Sequence, residues 1–355
     1  MFFIPTKKEC DYIVENSKQF FKKEIKFLNK NISIYHYKQA KYEEFVKFNA
    51  WELRGLTFVE YKRFLSLHKF FELNQAPGWM KEDVKNKKIK KVVEKIDGSL
   101  LQPILIDGKI YFKTKLSFDA YQAKRANEIM LKNLNIKEYI IKCFEKNKIP
   151  LFEYISQKSQ VVMDYNKEEL INTQVRDLNT GEYDLEFEKE ALKYNITTPK
   201  SYDFNSLDEI INEAKNNKNI EGWVVIFEDM QFLKVKTEEY LKRHKVVGKI
   251  QPHEVIKALI EKDKIYEETL NRKSEKYKVY ADIKEKFLKK YNTLKNEAKK
   301  TLKLSKKEFK KKYSTHSYYE LFALCRNKGV DEFDSWIKKH TARLKGAKKF
   351  LELEE

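Results

Sequence analysis

The N-terminal segment has the pattern of an amphipathic helix. Thr6 and Glu9 have the spacing of a capping box and follow directly after Pro5. The apolar positions that come next fit one helical face: Cys10, Ile13, Val14, Phe20 and Phe21. We therefore expect a first helix that continues through the two phenylalanines.

From about residue 32 to residue 236 the pattern changes to short runs rich in β-branched and aromatic residues, which predict strands. These runs are Ile32–Tyr37, Gly55–Tyr61, Val92–Lys95, Leu100–Ile106, Ile110–Lys115, Leu151–Ser156, Gln160–Tyr165, Gly222–Glu228 and Phe232–Lys236. Asp107-Gly108 separates two of them and is a strong hairpin signal. Helical patterns interrupt the strands at residues 117–134 and 206–214. The first two-thirds of the chain is therefore predicted to be α+β.

After Gly248 the pattern predicts helices alone. A single helical face is indicated by Ile283, Phe287, Tyr291, Leu294, Ala298 and Leu302. Ser305 and Glu308 form another capping box, and Asp331 to Lys349 has the pattern of one final helix. We predict two domains, an α+β domain over residues 1–247 and a Lys-rich, all-helical C-terminal domain over residues 248–355.

The charge of the chain indicates a polyanionic partner. The 355 residues carry 73 basic and 54 acidic side chains, a net charge of +19. Residues 249–355 hold 29 basic and 17 acidic side chains, a net +12, and the stretch from Arg272 to Lys312 is the densest. Phosphates of a nucleic acid are the usual partner of such a field, although a membrane surface would also attract it.

Several classes are excluded or disfavoured by composition. The 24 Phe, 21 Tyr and 4 Trp argue against intrinsic disorder, and no apolar run approaches the ~18 residues of a membrane span. The first residues lack a basic leader followed by an apolar stretch, so we expect no secretory signal and a cytoplasmic protein. The three cysteines fit no metal spacing and are expected to be reduced thiols.

The candidate chemistry begins at a lysine. The sequence has no Walker-type phosphate loop, no His-Glu-x-x-His and no Gly-x-Ser-x-Gly. In Val92-Val-Glu-Lys95-Ile-Asp97-Gly98-Ser99 a lysine leaves a predicted strand and enters an Asp-Gly turn, which would present its amine at the strand end. Taken alone, this pattern is more often a charged hairpin than a nucleophile.

Other segments supply the groups that transfer of a nucleotide to a lysine needs. Such a reaction requires cations around the phosphates, a carboxylate for a metal and contacts to the nucleoside. Lys234 and Lys236 alternate along a strand and point to one face. Glu221 begins an apolar strand, and Glu153 lies between two aromatic residues within another.

This ordered set resembles the covalent nucleotidyltransferase superfamily, which comprises DNA ligases, RNA ligases and mRNA capping enzymes. The matching segments are Lys95-Ile-Asp97-Gly98-Ser99, Phe152-Glu153-Tyr154, Glu221-Gly222-Trp223-Val224 and Lys234-Val235-Lys236. Upstream and intervening elements are most similar to the phage-type RNA ligase 1 family, whose founder is the T-even phage enzyme: Trp51-Glu-Leu-Arg54-Gly55, Lys69-Phe70-Phe71 and Phe112-Lys113-Thr-Lys115. The resemblance covers roughly residues 35–245 and implies an adenylation domain with antiparallel sheets and flanking helices.

The resemblance also implies a role for each matching position. Lys95 would form the lysyl-AMP adduct, and Glu221 would bind a catalytic Mg²⁺. Glu153 would hold the ribose hydroxyls of ATP. The remaining cofactor-binding positions would be Arg54 and Lys69 at the triphosphate, Lys115 nearby, Lys234 and Lys236 at the α-phosphate, and Tyr240. Lys234 and Lys236 are also expected to lower the pKa of Lys95.

The function implied is ATP-dependent joining of a 5′-phosphate RNA end to a 3′-hydroxyl end through lysyl-AMP and RNA-adenylate intermediates. The helical C-terminal part matches the RNA ligase 1 family, in which substrates include broken tRNA. It argues against the β-barrel that in DNA ligases and capping enzymes normally follows the segment matching Lys234-Val235-Lys236. Two alternatives remain: a DNA ligase or another nucleic-acid nucleotidyltransferase, and a non-catalytic RNA-binding protein. The Lys-, Asn- and Ile-rich composition hints at a phage genome, which would place the protein in the host cytoplasm.

Overall fold

The structure is a computed structural model that describes residues 2–159, 162–248, 250–270 and 277–353. The chain divides into two compact units, Met1–Leu241 and Lys242–Glu355. Within the described residues, no helix is both long enough and apolar enough to cross a membrane.

The first unit has a mixed α+β architecture, as predicted. Its strands are β1 (Phe20–Phe27), β2 (Lys30–Tyr37), β3 (Leu56–Val59), β4 (Lys62–Phe64), β5 (Phe71–Glu72), β6 (Ile89–Glu94), β7 (Ser99–Ile106), β8 (Lys109–Lys113), β9 (Lys148–Ile155), β10 (Glu169–Asp177), β11 (Ser201–Tyr202), β12 (Gly222–Phe227) and β13 (Phe232–Lys236). Its helices are α1 (Lys7–Asn16), α2 (Tyr42–Phe48), α3 (Lys81–Val84), α4 (Tyr121–Lys132), α5 (Leu134–Glu145), α6 (Phe187–Lys193) and α7 (Leu207–Asn216). Helix α8 (Glu238–Val247) follows the last strand.

The strands form three sheets. The first has the order β1-β2-β3-β4, the second β10-β9-β7-β8 and the third β11-β6-β12-β13-β5. Every named strand pair is antiparallel except β13 and β5, which run parallel. The sheets are thus antiparallel as expected, with one parallel edge strand.

Apolar residues alternate with other residues along the strands, so the second and third sheets each have an apolar face that packs against helices. On the second sheet, Phe112, Phe152 and Tyr154 pack with Ala126 of α4 and Tyr139 of α5. On the third sheet, Leu207 and Ile210 of α7 pack with apolar residues of β12 and β13. The residues between these apolar positions point to the opposite face of each sheet, where the polar candidate residues lie.

The first predicted helix is too long at its C-terminal end. The capping box of Thr6 and Glu9 is present, but α1 ends at Asn16 and Phe20 begins β1. β1 pairs with β2 through a tight turn in which Leu28 and Asn29 have positive φ angles of 48° and 62°. Tertiary pairing therefore overrides the helical spacing of the apolar residues.

Other boundaries also differ from the prediction. The helix expected over 117–134 starts at Tyr121, and a second helix, α5, follows a break at Asn133, whose side chain accepts a hydrogen bond from the Asn135 N–H. β10 was not predicted. Of the strand predicted at residues 160–165, Gln160 and Val161 lie outside the described residues, and residues 162–165 form no strand.

The described part of the second unit contains helices and no strand. They are α9 (Pro252–Glu261), α10 (Lys264–Leu270), α11 (Lys278–Thr301), α12 (Lys306–Tyr313), α13 (Tyr319–Lys328), α14 (Glu332–Thr341) and α15 (Leu344–Leu351). The Ser305 capping box begins α12. The single helix expected over Asp331–Lys349 is wrong, because the extended backbone of Arg343 (φ −118°, ψ 152°) separates α14 from α15.

Candidate active site

Lys95 is fixed at the end of β6 by the neighbouring strand. Its backbone N–H donates to the carbonyl of Gly222 over 2.9 Å, which holds it at the start of β12. Its Nζ donates to Oε2 of Glu221 over 2.7 Å. The Lys95 side chain is 23% exposed and that of Glu221 only 3%, so the amine projects from a buried carboxylate into accessible space.

The turn after Lys95 is held by Asp97. One carboxylate oxygen of Asp97 accepts the backbone N–H groups of Val162 and Met163, over 2.8 and 2.7 Å. The other accepts the hydroxyl of Tyr240 over 2.9 Å. Three donors on two distant segments therefore fix this buried carboxylate and the turn it belongs to.

Gly98 allows the same turn to lie directly against β9. A Cβ atom at this position would lie 2.4 Å from the carbonyl oxygen of Tyr154, closer than any side chain tolerates. The glycine therefore brings Lys95 close to the strand that carries Glu153. This is the structural basis for the Asp-Gly step in the lysine motif.

Lys95 lies in a cavity of about 470 Å³ between β6, β9, β12 and β13. Seven of the nine predicted site residues line it: Arg54, Lys95, Lys115, Glu153, Glu221, Lys234 and Tyr240. Lys69 and Lys236 do not. The cavity brings together residues from positions 54 to 240 of the sequence, as the ordered motifs predict.

Lys69 and Lys236 are not among the residues that line the cavity, and each has a partner of its own. The Nζ of Lys69 is 4.0 Å from the ring centroid of Phe71. The Nζ of Lys236 lies 2.7 Å from Glu72 and 3.7 Å from Glu221. Lys236 thus contacts the carboxylate that holds Lys95.

The cationic side chains in and beside the cavity repel one another. Burial and the Arg54 guanidinium lower the pKa of Lys69 to about 8. The same two causes lower the pKa of Lys115, and burial with Arg54, Lys69 and Lys95 lowers that of Lys234 far below its usual range. Nη1 of Arg54 is buried and has no hydrogen-bond partner in the part of the chain that the structure describes. A cluster of cations with an unpartnered guanidinium nitrogen suits a polyanionic ligand.

The charges around Lys95 differ from the expectation. Burial lowers the pKa of Lys95, but the carboxylates of Glu221 and Glu153 raise it, and the net direction is upward. The expected repulsion between Lys95 and Lys234 is present, because Lys95 lowers the pKa of Lys234 and the effect is mutual. It does not decide the net direction, because the two carboxylates outweigh the burial of Lys95.

Glu153 faces the cavity from β9. Burial raises its pKa to about 7, against the opposing effect of Lys95. It has no ion-pair or hydrogen-bond partner for its carboxylate among residues 2–159, 162–248, 250–270 and 277–353. This half-buried acceptor is available to a donor from a ligand in the cavity.

Sequence analysis did not assign roles to several residues at this site. Phe70, not Phe71, lines the cavity, while Phe71 packs against Trp51 and Trp79 in the core. Successive side chains of a strand point to opposite faces, so the sequence could have predicted that only one of these two phenylalanines faces the cavity. Gln174 also lines the cavity, and nothing in its sequence context indicates this position.

Lys113 supports the site from inside the core. It is fully buried, and its Nζ lies 2.9 Å from Oε1 of Gln102, 3.2 Å from the carbonyl of Lys115 and 3.4 Å from that of Gly55. Lys113 therefore connects the segment after Arg54 with the segment that carries Lys115. Lys113 lies two residues before Lys115, and this spacing is the feature of the sequence that associates Lys113 with the site.

Comparisons with known proteins agree with this geometry. A family model described as RNA ligase matches residues 52–241. A protein of Thermovibrio ammonificans named "Putative RNA ligase" is 31% identical over 298 residues, which cover 75% of this chain and 78% of that protein. Residues 52–241 include every predicted site residue.

A solved structure has a similar fold at low sequence identity. An archaeal ATP-dependent RNA ligase, form 2, is similar with a TM-score of 0.50 and 11% identity, over 68% of this chain and 64% of that one. Form 1 of an archaeal ATP-dependent RNA ligase gives a TM-score of 0.45 and 13% identity, over 64% and 61% of the two chains. This chain thus spans a little under two-thirds of each solved structure.

The family model covers more than half of the chain, and the relative from T. ammonificans matches over three-quarters of it. The description of this family implies RNA substrates. The chain belongs to the RNA ligase family.

Proposed function

We propose that this protein, as an ATP-dependent RNA ligase, transfers AMP from ATP to Lys95 and then seals RNA ends. Lys95, whose pKa is raised by the neighbouring carboxylates, first passes a proton to Glu221, which accepts its hydrogen bond. The uncharged amine then attacks the α-phosphorus, an N–P bond forms, and the bond from the α-phosphorus to its bridging oxygen breaks so that pyrophosphate leaves. AMP then passes to a 5′-phosphate RNA end. A 3′-hydroxyl attacks that phosphate, a phosphodiester bond forms and AMP is released.

The observation that carries this proposal is the position of the Lys95 amine, in the cavity and 2.7 Å from Glu221. Arg54, Lys115 and Lys234 line the same cavity and supply the positive charge that a triphosphate requires. Lys236 contacts Glu221 and Lys69 acts electrostatically on Lys234, so both add positive charge next to the cavity. We assign Lys234 and Lys236 to the α-phosphate, and Arg54 and Lys69, with Lys115 nearby, to the outer phosphates.

Glu153 is assigned to the hydroxyls of the ATP ribose, because its carboxylate is an underpaired acceptor that faces the cavity. Tyr240 is assigned an indirect role. Its hydroxyl donates to Asp97, so it orients the turn that follows Lys95. It also lies 5.3 Å from the Nζ of Lys236, measured to the ring centroid.

Mg²⁺ is the metal ion proposed for the reaction. No group of three or more acidic, histidine or cysteine side chains forms a metal cage in the described residues. Mg²⁺ commonly uses one or two carboxylates together with substrate phosphates and water, so a single buried carboxylate such as Glu221 fits it. When bound, the ion offsets the negative charge of the phosphate oxygens. Chelation is expected to stop labelling by ATP, and added Mg²⁺ to restore it.

The second unit is proposed to bind RNA, including tRNA cleaved in its anticodon loop. This corresponds to the predicted domain over residues 248–355. Helices α11 and α12 meet at a lysine cluster, here called the α11–α12 cluster, whose side chains are exposed: Lys299, Lys300, Lys303, Lys306, Lys307, Lys310 and Lys311. Among residues 299–311 the acidic side chain is Glu308 alone. Such a field favours the backbone of an RNA substrate.

A sealing assay tests this proposal. Labelled RNA with a 5′-phosphate and a 3′-hydroxyl is incubated with ATP and Mg²⁺, beside a DNA strand of the same sequence. We expect joined or circular RNA with the unmodified protein and none with Lys95→Ala. Lys90→Ala, an exposed lysine of the same strand, is the matched control and should retain sealing. Sealing of DNA in preference to RNA, or sealing by Lys95→Ala, would contradict the proposal.

A further inference from the structure

A bulge in β10 changes the face of the sheet to which Gln174 points. Asn172 pairs with Phe152 and Gln174 with Leu151, so Thr173 is an extra residue in the strand. The buried Asn172 side chain fixes the bulge by donating to the carbonyls of Leu151 and Gln174, over 2.9 and 3.0 Å. Because these hydrogen bonds stabilise the bulge, it is a fixed part of the sheet.

The consequence of the bulge is a change of face. Residues paired directly across two strands share a face, so Ile171 lies on the face of its partner Glu153, and Gln174 on the face of Leu151. Leu151 and Glu153 are two residues apart and point to the same side. Without the extra residue, Ile171 and Gln174 would point in opposite directions. The bulge thus brings Gln174 to the side of the sheet that carries Glu153, as its diagonal neighbour.

The amide oxygen of Gln174 lies at the cavity without a hydrogen-bond partner in the described part of the chain. The residue is 6% exposed and lines the cavity, and its Oε1 has no hydrogen-bond partner among the residues that the structure describes. A buried amide oxygen is normally paired, because its desolvation is otherwise uncompensated. Since the oxygen accepts hydrogen bonds, the missing group must be a donor.

The position of Gln174 indicates which part of ATP supplies this donor. Glu153, its diagonal neighbour, is a second underpaired oxygen acceptor, and its carboxylate lies close enough to Lys95 to raise the pKa of that lysine. The part of ATP joined directly to the α-phosphate is the ribose. Two adjacent acceptors match the two hydroxyls of a ribose, one O–H group to each.

We propose that Gln174 is a specificity-determining residue that accepts a hydrogen bond from a ribose hydroxyl of ATP, beside Glu153. This inference rests on the proposed attack of Lys95 on ATP. It predicts that the protein discriminates against nucleotides that lack one of the two hydroxyls. It also predicts that the discrimination depends on the amide oxygen of residue 174.

The test measures the rate of enzyme–AMP formation at subsaturating ATP, 2′-deoxy-ATP and 3′-deoxy-ATP. Gln174→Met keeps the length of the side chain and removes the acceptor. We expect this variant to react more slowly with ATP and to lose about threefold to tenfold of the preference for ATP over one deoxynucleotide. Gln157→Met, an exposed glutamine just beyond β9 that does not line the cavity, is the matched control and should keep the full preference.

Each outcome separates this inference from the proposed function. Labelling of the unmodified protein by ATP supports the function independently of Gln174. Equal preference ratios in the unmodified protein and Gln174→Met overturn the inference, as does an unmodified protein without any preference. A loss of discrimination between ATP and inosine triphosphate instead would assign Gln174 to the base. If Gln174→Met is folded but unreactive, calorimetric dissociation constants for ATP and the deoxynucleotides give the same ratio.

Discussion

Arg176 and Glu52 form a bidentate ion pair inside the first unit, with Nη1 2.8 Å from Oε2 and Nη2 2.7 Å from Oε1. The two side chains are 0% and 1% exposed. Arg176 lies on β10, and Glu52 is two residues before Arg54. The pair therefore connects the strand of Gln174 to the segment that carries a proposed phosphate-binding residue.

Removing one partner of this pair should be strongly destabilising. Arg176→Ala leaves a buried, unpaired carboxylate, and we expect the free energy of unfolding of the first unit to fall by about 3–5 kcal/mol. Urea denaturation followed by tryptophan fluorescence measures the decrease, because Trp51, Trp79 and Trp223 belong to this unit. The double variant Arg176→Met/Glu52→Leu removes both charges and should recover much of the stability. A decrease below about 1 kcal/mol for Arg176→Ala would contradict the assigned role.

The approach of Gly98 to β9 predicts a loss of adenylylation without unfolding. The Cβ of Gly98→Ala would meet the Tyr154 carbonyl at 2.4 Å, so the turn must move and carry Lys95 with it. We expect the rate of enzyme–AMP formation to fall by at least about tenfold, since a small misplacement of reacting groups is costly. Gly248→Ala is the control, because its Cβ would lie no closer than 3.7 Å to other atoms. Equal rates for the two variants would show that the close approach is not needed.

Much of this site could be predicted from the sequence, because its motifs are short continuous segments within strands or at strand ends. Lys95, Glu153, Glu221 and Lys234 lie together as their order indicates. The strand from Phe20 could not be predicted by spacing, since adjacent phenylalanines fit a helix or a strand and pairing with β2 decides. The role of Gln174 depends on a bulge fixed by contacts from other elements, which no local pattern contains.

The buried lysine Lys113 predicts a pH-dependent stability. Burial lowers its pKa to about 7, below the value near 10.4 of an unfolded chain. Between these two values the unfolded state binds more protons, so the contribution of Lys113 to stability rises with pH. Relative to that of Lys113→Met, the free energy of unfolding of the wild type should rise by up to about 1.4 kcal/mol per pH unit between pH 7 and pH 9. Urea titrations of both proteins at pH 6, 7, 8 and 9 measure the difference, and a difference independent of pH would contradict the shift.

The α11–α12 cluster predicts salt-dependent RNA binding. Changing Lys299, Lys303, Lys306 and Lys310 to Glu should weaken RNA binding and flatten its dependence on salt, by about 0.7 in the log–log slope for each RNA phosphate that the variant no longer neutralises. Enzyme–AMP formation should be unchanged, because these residues lie outside the first unit, which holds Lys95.

The charge-matched control for the cluster changes four exposed lysines of the first unit to Glu: Lys8, Lys18, Lys132 and Lys137. This variant has the same net charge as the cluster variant, so it should keep most of the RNA affinity and the salt slope. An unaltered affinity and salt slope in the cluster variant would remove the α11–α12 cluster from the RNA site.

The central claim is that Lys95 carries AMP. The most direct test is incubation of the folded, AMP-free protein with Mg²⁺ and α-labelled ATP, followed by denaturing electrophoresis and peptide mapping, with GTP and NAD in parallel. We predict a covalent label from ATP on the peptide that contains Lys95, and none in Lys95→Ala. A label on another residue, or no label from ATP, would contradict the account, and the latter would favour a non-catalytic RNA-binding protein.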